Sequence, residues 1–342
     1  MGGVYQRKDG RWVGKYKDLE GSWRYTYRKS KREAKEALRE AVKNRDEGIS
    51  PEKITVREYL EDWLEGQKGV VSERTLVVKK GNLRVHVYPA LGNKRLSKLT
   101  AKDIRGIFQG KDLKPRTVNK ILGTFSQALD GAVEKFIRTN PAREIKRLRQ
   151  PQQETEILSP DQVKQLLTAC RGDRLEGVYV LGATCGLRMG EALGIKWLDV
   201  DFDQGTLTIG RTIWRGKVLP TKTNSSRRTI KLPRIALEAL HRHRANGQHD
   251  WVFPTAKGNP HYAANFYRHS WKPMLERAGL PPITFHQLRH GAASYLFSQR
   301  VPIPVVSKYL GHANPSITLS VYSHMIDGDE GIAGLAIDSL LA

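Results

Sequence analysis

Thr284-Phe285-His286-Gln287-Leu288-Arg289-His290, followed by Tyr309-Leu310-Gly311-His312 and by Ser320-Val321-Tyr322-Ser323-His324, is the stretch from which the rest of the chain can be read. His286 and Arg289 lie three apart, and on a helix that spacing sets two side chains on one face, where an imidazole and a guanidinium can meet one anion. His312 follows a Leu-Gly pair, which predicts a turn where a helix begins. Such a start favours negative charge through its free N–H groups and its dipole. Each feature alone has an ordinary reading: a surface pair, a turn, a tyrosine half-buried between Val321 and Ser323. Their joint occurrence, with two further cations upstream, points to one phosphate.

The first upstream cation is Arg188, in Cys185-Gly-Leu-Arg-Met-Gly-Glu-Ala-Leu193. It follows a Gly-Leu helix-start signal, and Glu191, one turn on, is placed to brace the guanidinium or to cap the helix. The second is Lys222, in Pro220-Thr-Lys-Thr-Asn-Ser-Ser-Arg-Arg-Thr-Ile230, between two short strand-like runs and so expected at the tip of a hairpin. The ordered set Arg188, Lys222, His286, Arg289, His312 and Tyr322 closely resembles the signature of the tyrosine recombinases, the phage-integrase family. All six positions hold the residue type that this family uses.

The resemblance implies a nucleophilic tyrosine. A tyrosine hydroxyl has a reference pKa of about 10, so only about one in a thousand is ionised at pH 7, a handicap of about 4 kcal/mol unless the site assists. Arg188, Arg289 and His312 are assigned to transition-state charge, and His286 to positioning the phosphate or accepting the Tyr322 proton. Lys222 would give a proton to the departing 5′ oxygen. The product would be a 3′-phosphotyrosyl link and a free 5′ hydroxyl, a covalent intermediate that keeps the bond energy for rejoining. Tyr295 and Tyr309, among apolar neighbours in helical stretches, are the rival nucleophiles and are read as packing residues.

The 342 residues suffice for two or three domains with real cores. Lys and Arg number 58 against 35 Asp and Glu, a net charge of +23, which indicates a polyanion and first of all nucleic acid. No lipidation signal or apolar run of spanning length favours a membrane instead. The opening Met1-Gly-Gly-Val-Tyr-Gln6 lacks the apolar stretch of a signal peptide, so the expected location is the cytoplasm of a host bacterium, on DNA. Cys170 and Cys185 are the two cysteines, too few for a disulfide framework or a thiolate cage. His241 and His243 read as a solvated basic face. There is no Gly-rich phosphate loop with its lysine, so no cofactor and no obligatory metal are expected.

Residues 1–28 read as three short strands with turns at Asp9-Gly10 and Glu20-Gly21. Trp23, Tyr25 and Tyr27 alternate with Arg24, Thr26 and Arg28. A helix over 30–46, opened by the capping box Ser30 and Glu33, presents Ala34, Ala37, Leu38, Ala41 and Val42, a stripe predicted to cover the aromatic side of the sheet. That would leave Arg11, Lys15, Lys17, Arg24 and Arg28 on the outer face for DNA. Residues 1–48 carry 14 basic and 8 acidic groups, and the unit resembles the arm-binding domain at the front of many phage integrases. A solubilising cap or protein-docking module is the alternative.

Beyond the linker Gly48-Ile-Ser-Pro51, Thr55 and Glu58 box the start of a helix carrying Val56, Tyr59, Leu60, Trp63 and Leu64. Further helices are expected over about 72–88, ending at Pro89, about 100–109 and about 115–137, with Asn140-Pro141 as a stop. Residues 54–146 hold 19 basic and 10 acidic groups on this helical unit, which resembles the family's core-binding domain. After a polar link, Ser159-Pro-Asp-Gln162 opens a catalytic domain over 155–326 with a short sheet around Leu207, Ile209, Val218 and Ile230. Residues 327–342 form a tail, too short for a stable helix alone, for which the resemblance implies docking on a neighbouring protomer, with docking on its own domain as the alternative.

The predicted fold is therefore multidomain α+β: a three-stranded sheet with a helix, an all-α core-binding domain, and a mainly α catalytic domain with a short antiparallel sheet. The implied activity is site-specific recombination by a homotetramer on double-stranded DNA with core-type and arm-type sites. A type IB topoisomerase-like enzyme and a non-catalytic architectural DNA-binding protein are the alternatives. The residues leave open whether an excisionase or a DNA-bending host factor takes part, and whether the element is a phage, plasmid or transposon.

Overall fold

A computed structural model of the chain describes residues 3–18, 21–46, 54–151, 156–220, 227–244 and 249–311. The chain divides into two compact units, Met1–Gln152 and Gln153–Ala342.

In the first unit, strands β1 (Gly3–Gln6), β2 (Trp12–Lys17) and β3 (Trp23–Arg28) form an antiparallel sheet in sequence order. Helix α1 (Lys31–Asp46) packs on it, and the Ser30 hydroxyl accepts from the Glu33 N–H at its start. The covered side is not the one the alternation suggested. A Cβ on Gly14 would lie 3.0 Å from Leu38 Cβ and 3.3 Å from the Ala34 carbonyl oxygen, so α1 sits against the face of Gly14. Register puts Thr26 opposite Gly14, Arg24 opposite Tyr16 and Arg28 opposite Trp12, so all three share that face. Trp23, Tyr25 and Tyr27 stay between 42% and 45% exposed on the other face, with Lys15 and Lys17 among them. The physical reason is closeness: a helix led by Ala34 can approach a glycine, whereas three large rings would hold it away.

The helical part of this unit begins with α2 (Val56–Gly66), whose capping box joins Thr55 and Glu58 as predicted. Helix α3 (Glu73–Asn82) runs through a π-turn, Leu83–Val87, into α4 (Tyr88–Leu91), so the helix does not stop at Pro89. A π-turn widens the backbone just where the proline ring would otherwise press on the carbonyl one turn back. Helices α5 (Ala101–Gly106) and α6 (Pro115–Asp130) complete the group. Gly131 ends α6 earlier than the apolar spacing to Val133 implied, and Asn140 caps a 3₁₀ turn, Pro141–Glu144. Leu60, Ile104, Ile121, Phe125 and Leu129 are fully buried in the core, where the Tyr59 hydroxyl donates to the Ala128 carbonyl at 2.6 Å.

The second unit starts at α7 (Pro160–Ala169), boxed by Ser159 and Gln162. Helix α8 (Glu176–Cys185) is buried along nearly its whole length, and α9 (Met189–Ala192) follows after a sharp turn. Strands β4 (Val200–Asp201), β5 (Thr206–Ile209), β6 (Arg211–Trp214), β7 (Lys217–Pro220) and β8 (Arg228–Lys231) come next. They make two small antiparallel sheets, β4-β5-β8 and β6-β7. The two strands flanking Lys222, β7 and β8, pair with β6 and β5 respectively and belong to different sheets. Its own position is outside the described residues. The remaining helices are α10 (Arg234–Arg244), α11 (Ala263–Phe266), α12 (Lys272–Arg277), α13 (Phe285–Ser298) and α14 (Ile303–Leu310). In the core between α8 and α13, Trp271 stacks on Tyr179 and meets Phe285 edge-on. The tail over 327–342 is outside the described residues.

Candidate active site

Where α8 ends, Gly186 takes a left-handed conformation, φ 61°, that a residue with a Cβ adopts at a cost, and a Cβ there would lie 2.5 Å from Leu310. This tight turn brings the start of α9 up to α13 and α14. Arg188 is the residue before α9, and Glu191 serves it twice. The carboxylate accepts from the Arg188 N–H at 3.2 Å and from its guanidinium at 2.6 Å, so the brace and the cap foreseen as alternatives are both made. Arg188 also donates to the Gly311 carbonyl at 3.2 Å.

Arg289 and His286 arise from the first two turns of α13. That helix is set in place by the Trp271 indole, which donates to the Ile283 carbonyl at 2.9 Å, and by the Thr284 N–H, which donates to the Gln287 side chain at 2.6 Å. Arg289 is 2% exposed, and its guanidinium donates to the Gly186 carbonyl at 3.0 Å. The two arginines are thus tied to carbonyls at either side of one turn cluster, Gly186 and Gly311. His286 is exposed, and its ring lies 5.0 Å from that of His290 and nearly perpendicular to it. Partial desolvation first, then the positive surroundings of His290, Arg289 and Arg188, push His286 down to about 4. His290 is lowered as well, by burial and then by Arg289.

Glu191 is 3% exposed. Burial works to raise its carboxyl, yet the charges and hydrogen bonds of Arg228 and Arg188 outweigh that and hold it below its ordinary value. Arg228 was not singled out from the sequence. Its signal is the period of two in β8: Ile230 must face the core, and Arg228, two residues earlier, shares that inward side. His290, likewise not singled out, is the other neighbour.

Gly311, with φ 69°, closes α14 in the left-handed conformation, so the Leu-Gly pair forms a turn that ends a helix, and the helix expected to begin after it falls outside the described residues. His312 and Tyr322 lie outside the described residues. The rival tyrosines are both engaged. Tyr295 donates to the Leu158 carbonyl at 2.7 Å and Tyr309 to the Lys231 carbonyl at 3.4 Å, and burial raises the pKa of each. Among the described residues, no group of three or more His, Cys, Asp and Glu side chains is disposed to hold a metal ion. None of the described helices is long and apolar enough to cross a membrane.

On the open face of the first unit's sheet, Lys15 lies 4.0 Å from the centre of the Trp23 ring and Lys17 5.4 Å. Arg11 lies 5.6 Å from the Tyr27 ring and pairs with Asp9 at 2.6 Å. Arg24, on the face α1 covers, pairs with Asp18 at 2.7 Å. Arg28 donates to the neighbouring Tyr27 carbonyl at 2.8 Å. The five cations named from the sequence therefore divide between two sides.

Comparison with known proteins finds the phage integrase family over residues 156–328 and the N-terminal SAM-like domain of phage integrases over residues 55–111. A "Tyrosine recombinase XerC-like" protein of Caldanaerobacter subterraneus subsp. tengcongensis is 30% identical over 345 residues, spanning 88% of this chain and 87% of the relative. An "Integrase" of Streptomyces ambofaciens is 28% identical, over 87% of this chain and 84% of its own length. The fold is similar to that of the Tn1549 transposon integrase, solved with transposon right end DNA, with a TM-score of 0.71 at 21% identity over 84% of this chain and 100% of the other. It is also similar to that of a lambda integrase dimer bound to a COC′ core site, with a TM-score of 0.64 at 18% identity over 93% of each chain. The chain belongs to the phage integrase family, the tyrosine recombinases, and is a site-specific DNA recombinase.

Proposed function

We propose that the chain integrates and excises a mobile element by attack of Tyr322 Oη on a DNA phosphorus. The bond to the 5′ oxygen breaks, Lys222 gives that oxygen a proton, and a 3′-phosphotyrosyl link holds the strand until a 5′ hydroxyl reverses the step. Arg188, Arg289 and His312 carry the charge that develops on the non-bridging oxygens. His286 positions the phosphate or accepts the Tyr322 proton; its ring, held neutral at pH 7, has a nitrogen free of a proton for either role, though its lowered pKa makes it a weak base. The observation that carries this reading is the convergence of Arg188 and Arg289 on the Gly186 and Gly311 turns, with Glu191 bracing the first.

The proposal extends to organisation. Residues 1–48 bind arm-type sites, 54–146 bind the core site, 155–326 perform the chemistry, and 327–342 dock on a neighbouring protomer. The working form is a tetramer in the bacterial cytoplasm, as in the lambda integrase tetramer bound to a Holliday junction. An excisionase and a DNA-bending host factor would set direction. The test is incubation with supercoiled plasmid in EDTA and arrest with detergent. Wild type should leave protein covalently attached to DNA and Tyr322→Phe none; an adduct that persists in Tyr322→Phe would refute the assignment.

A further inference from the structure

Arg228 opens β8, is 8% exposed, and reaches three things at once. Its Nε donates to the Tyr309 carbonyl at 2.8 Å, at the end of α14, and its Nη2 donates to Glu191 Oε2 at 3.2 Å. Its side chain also lies close against Gly311, where a Cβ would be 2.7 Å from Nη1 and 3.0 Å from Cδ and Cζ. Glu191 grips Arg188, and Arg188 donates back to the Gly311 carbonyl. The contacts therefore close a ring: Arg228, Glu191, Arg188, Gly311 and Arg228 again. In sequence, Gly311 is followed directly by His312, and β8 begins six residues after Lys222.

We propose that Arg228 is a positioning residue that locks Arg188 and the turn before His312 into one frame, so that the scissile phosphate meets a pre-set group of donors. The inference rests on the reading that Arg188 and His312 bear the transition-state charge. A planar fork with donors in several fixed directions can serve a carboxylate and a carbonyl together while its side chain lies close against a glycine. A lysine ammonium on a flexible stem, a point charge, supplies the charge without the shape. Losing the frame lets Arg188 drift, and about 1 Å of misplacement costs on the order of 100-fold in rate.

The test has two arms and three variants of the full chain: Arg228→Gln, Arg228→Lys, and Arg211→Gln as a control. Arg211 pairs with Asp199 in the same unit but outside the ring. The first arm needs no DNA. Hydrogen exchange over peptides 186–193 and 303–311 should quicken in Arg228→Gln, less in Arg228→Lys, and not in Arg211→Gln. Unchanged exchange in both Arg228 variants overturns the proposal. The second arm measures the rate of covalent adduct on a duplex carrying the cleavage step mapped from the wild-type adduct. The duplex is made with an ordinary phosphate and again with a neutral methylphosphonate at that step. Arg228→Gln should be about 100-fold slower than wild type on the phosphate, and that gap should shrink by at least tenfold on the methylphosphonate, where the charge that Arg188 would hold is gone. Equal losses on both substrates would mean a general structural defect and would overturn the proposal. If Arg228→Gln does not fold, Arg228→Lys carries the same comparison. A wild type that forms no adduct on any DNA would instead sink the Tyr322 reading, and the exchange arm alone would then decide whether Arg228 holds the frame.

Discussion

Glu191 and Arg188 are three residues apart, and so their pairing was legible in the sequence: helical spacing alone puts a carboxylate under the guanidinium. Arg228 was not, because its carboxylate partner lies 37 positions earlier and its carbonyl partner 81 positions later, and no local period spans such distances. His286 falls between these cases. Its place beside Arg289 follows from spacing, but its protonation depends on packing. In an unfolded chain its imidazole would titrate at about 6.5, whereas the folded surroundings push it down to about 4. Between those values the unfolded chain binds the proton that the folded chain refuses, so the stability tied to the neutral ring is complete above pH 6.5 or so and is lost as pH falls toward 4. His286→Gln removes this loss. The urea midpoint of the variant should therefore drop less than that of wild type between pH 7 and pH 5, both measured by tryptophan fluorescence. Parallel drops would show that the ring is not held neutral.

At the scale of elements, the capped helices were legible and the contacts between elements were not. Thr55 with Glu58 and Ser159 with Gln162 state a helix start within four residues, and both form. The side of the sheet that α1 covers depends on which strand can be approached, and aromatic residues on one face do not decide that. Gly14 does. A Cβ there would come within 2.7 Å of Thr26 Oγ1 besides its contacts to Leu38 and Ala34. Gly14→Val should therefore push α1 off the sheet at a cost of about 1–3 kcal/mol. Hydrogen exchange in β2 and α1 should quicken accordingly. Gly3→Ala, whose Cβ would have nothing within 4 Å, should leave exchange unchanged and is the control. Exchange that stays slow in Gly14→Val would mean that α1 does not rest on that face. The same holds for the strands on either side of residues 221–226: two short strands in succession suggest a mutual pair, but β7 finds β6 and β8 finds β5, with Leu207 opposite Ile230.

For the whole molecule, a net charge of +23 makes phosphate contacts dominate affinity, and each contact releases counterions, so log K falls with log salt by about 0.9 per phosphate neutralised. The total slope adds contributions from every unit that touches DNA. Residues 1–48, with 14 basic and 8 acidic groups, should supply theirs through the open face of the sheet. There Lys15 and Lys17 stand over exposed rings, while Arg24 is drawn to Asp18 on the side that α1 covers. The division of these cations yields a comparison within one chain. Lys15→Ala with Lys17→Ala should reduce the slope by about 0.9 for each phosphate left without its cation, whereas Arg24→Ala with Arg28→Ala removes the same formal charge and should reduce it less. Fluorescence anisotropy with a labelled duplex between about 50 and 200 mM salt would measure both. The first pair acting no more strongly than the second would mean that the sheet meets DNA by its general charge and not by its open face. A larger effect of the first pair would tie the exposed rings and their lysines to one docking surface, and it would explain why three large aromatic side chains stay uncovered in a unit that has a helix at hand to bury them.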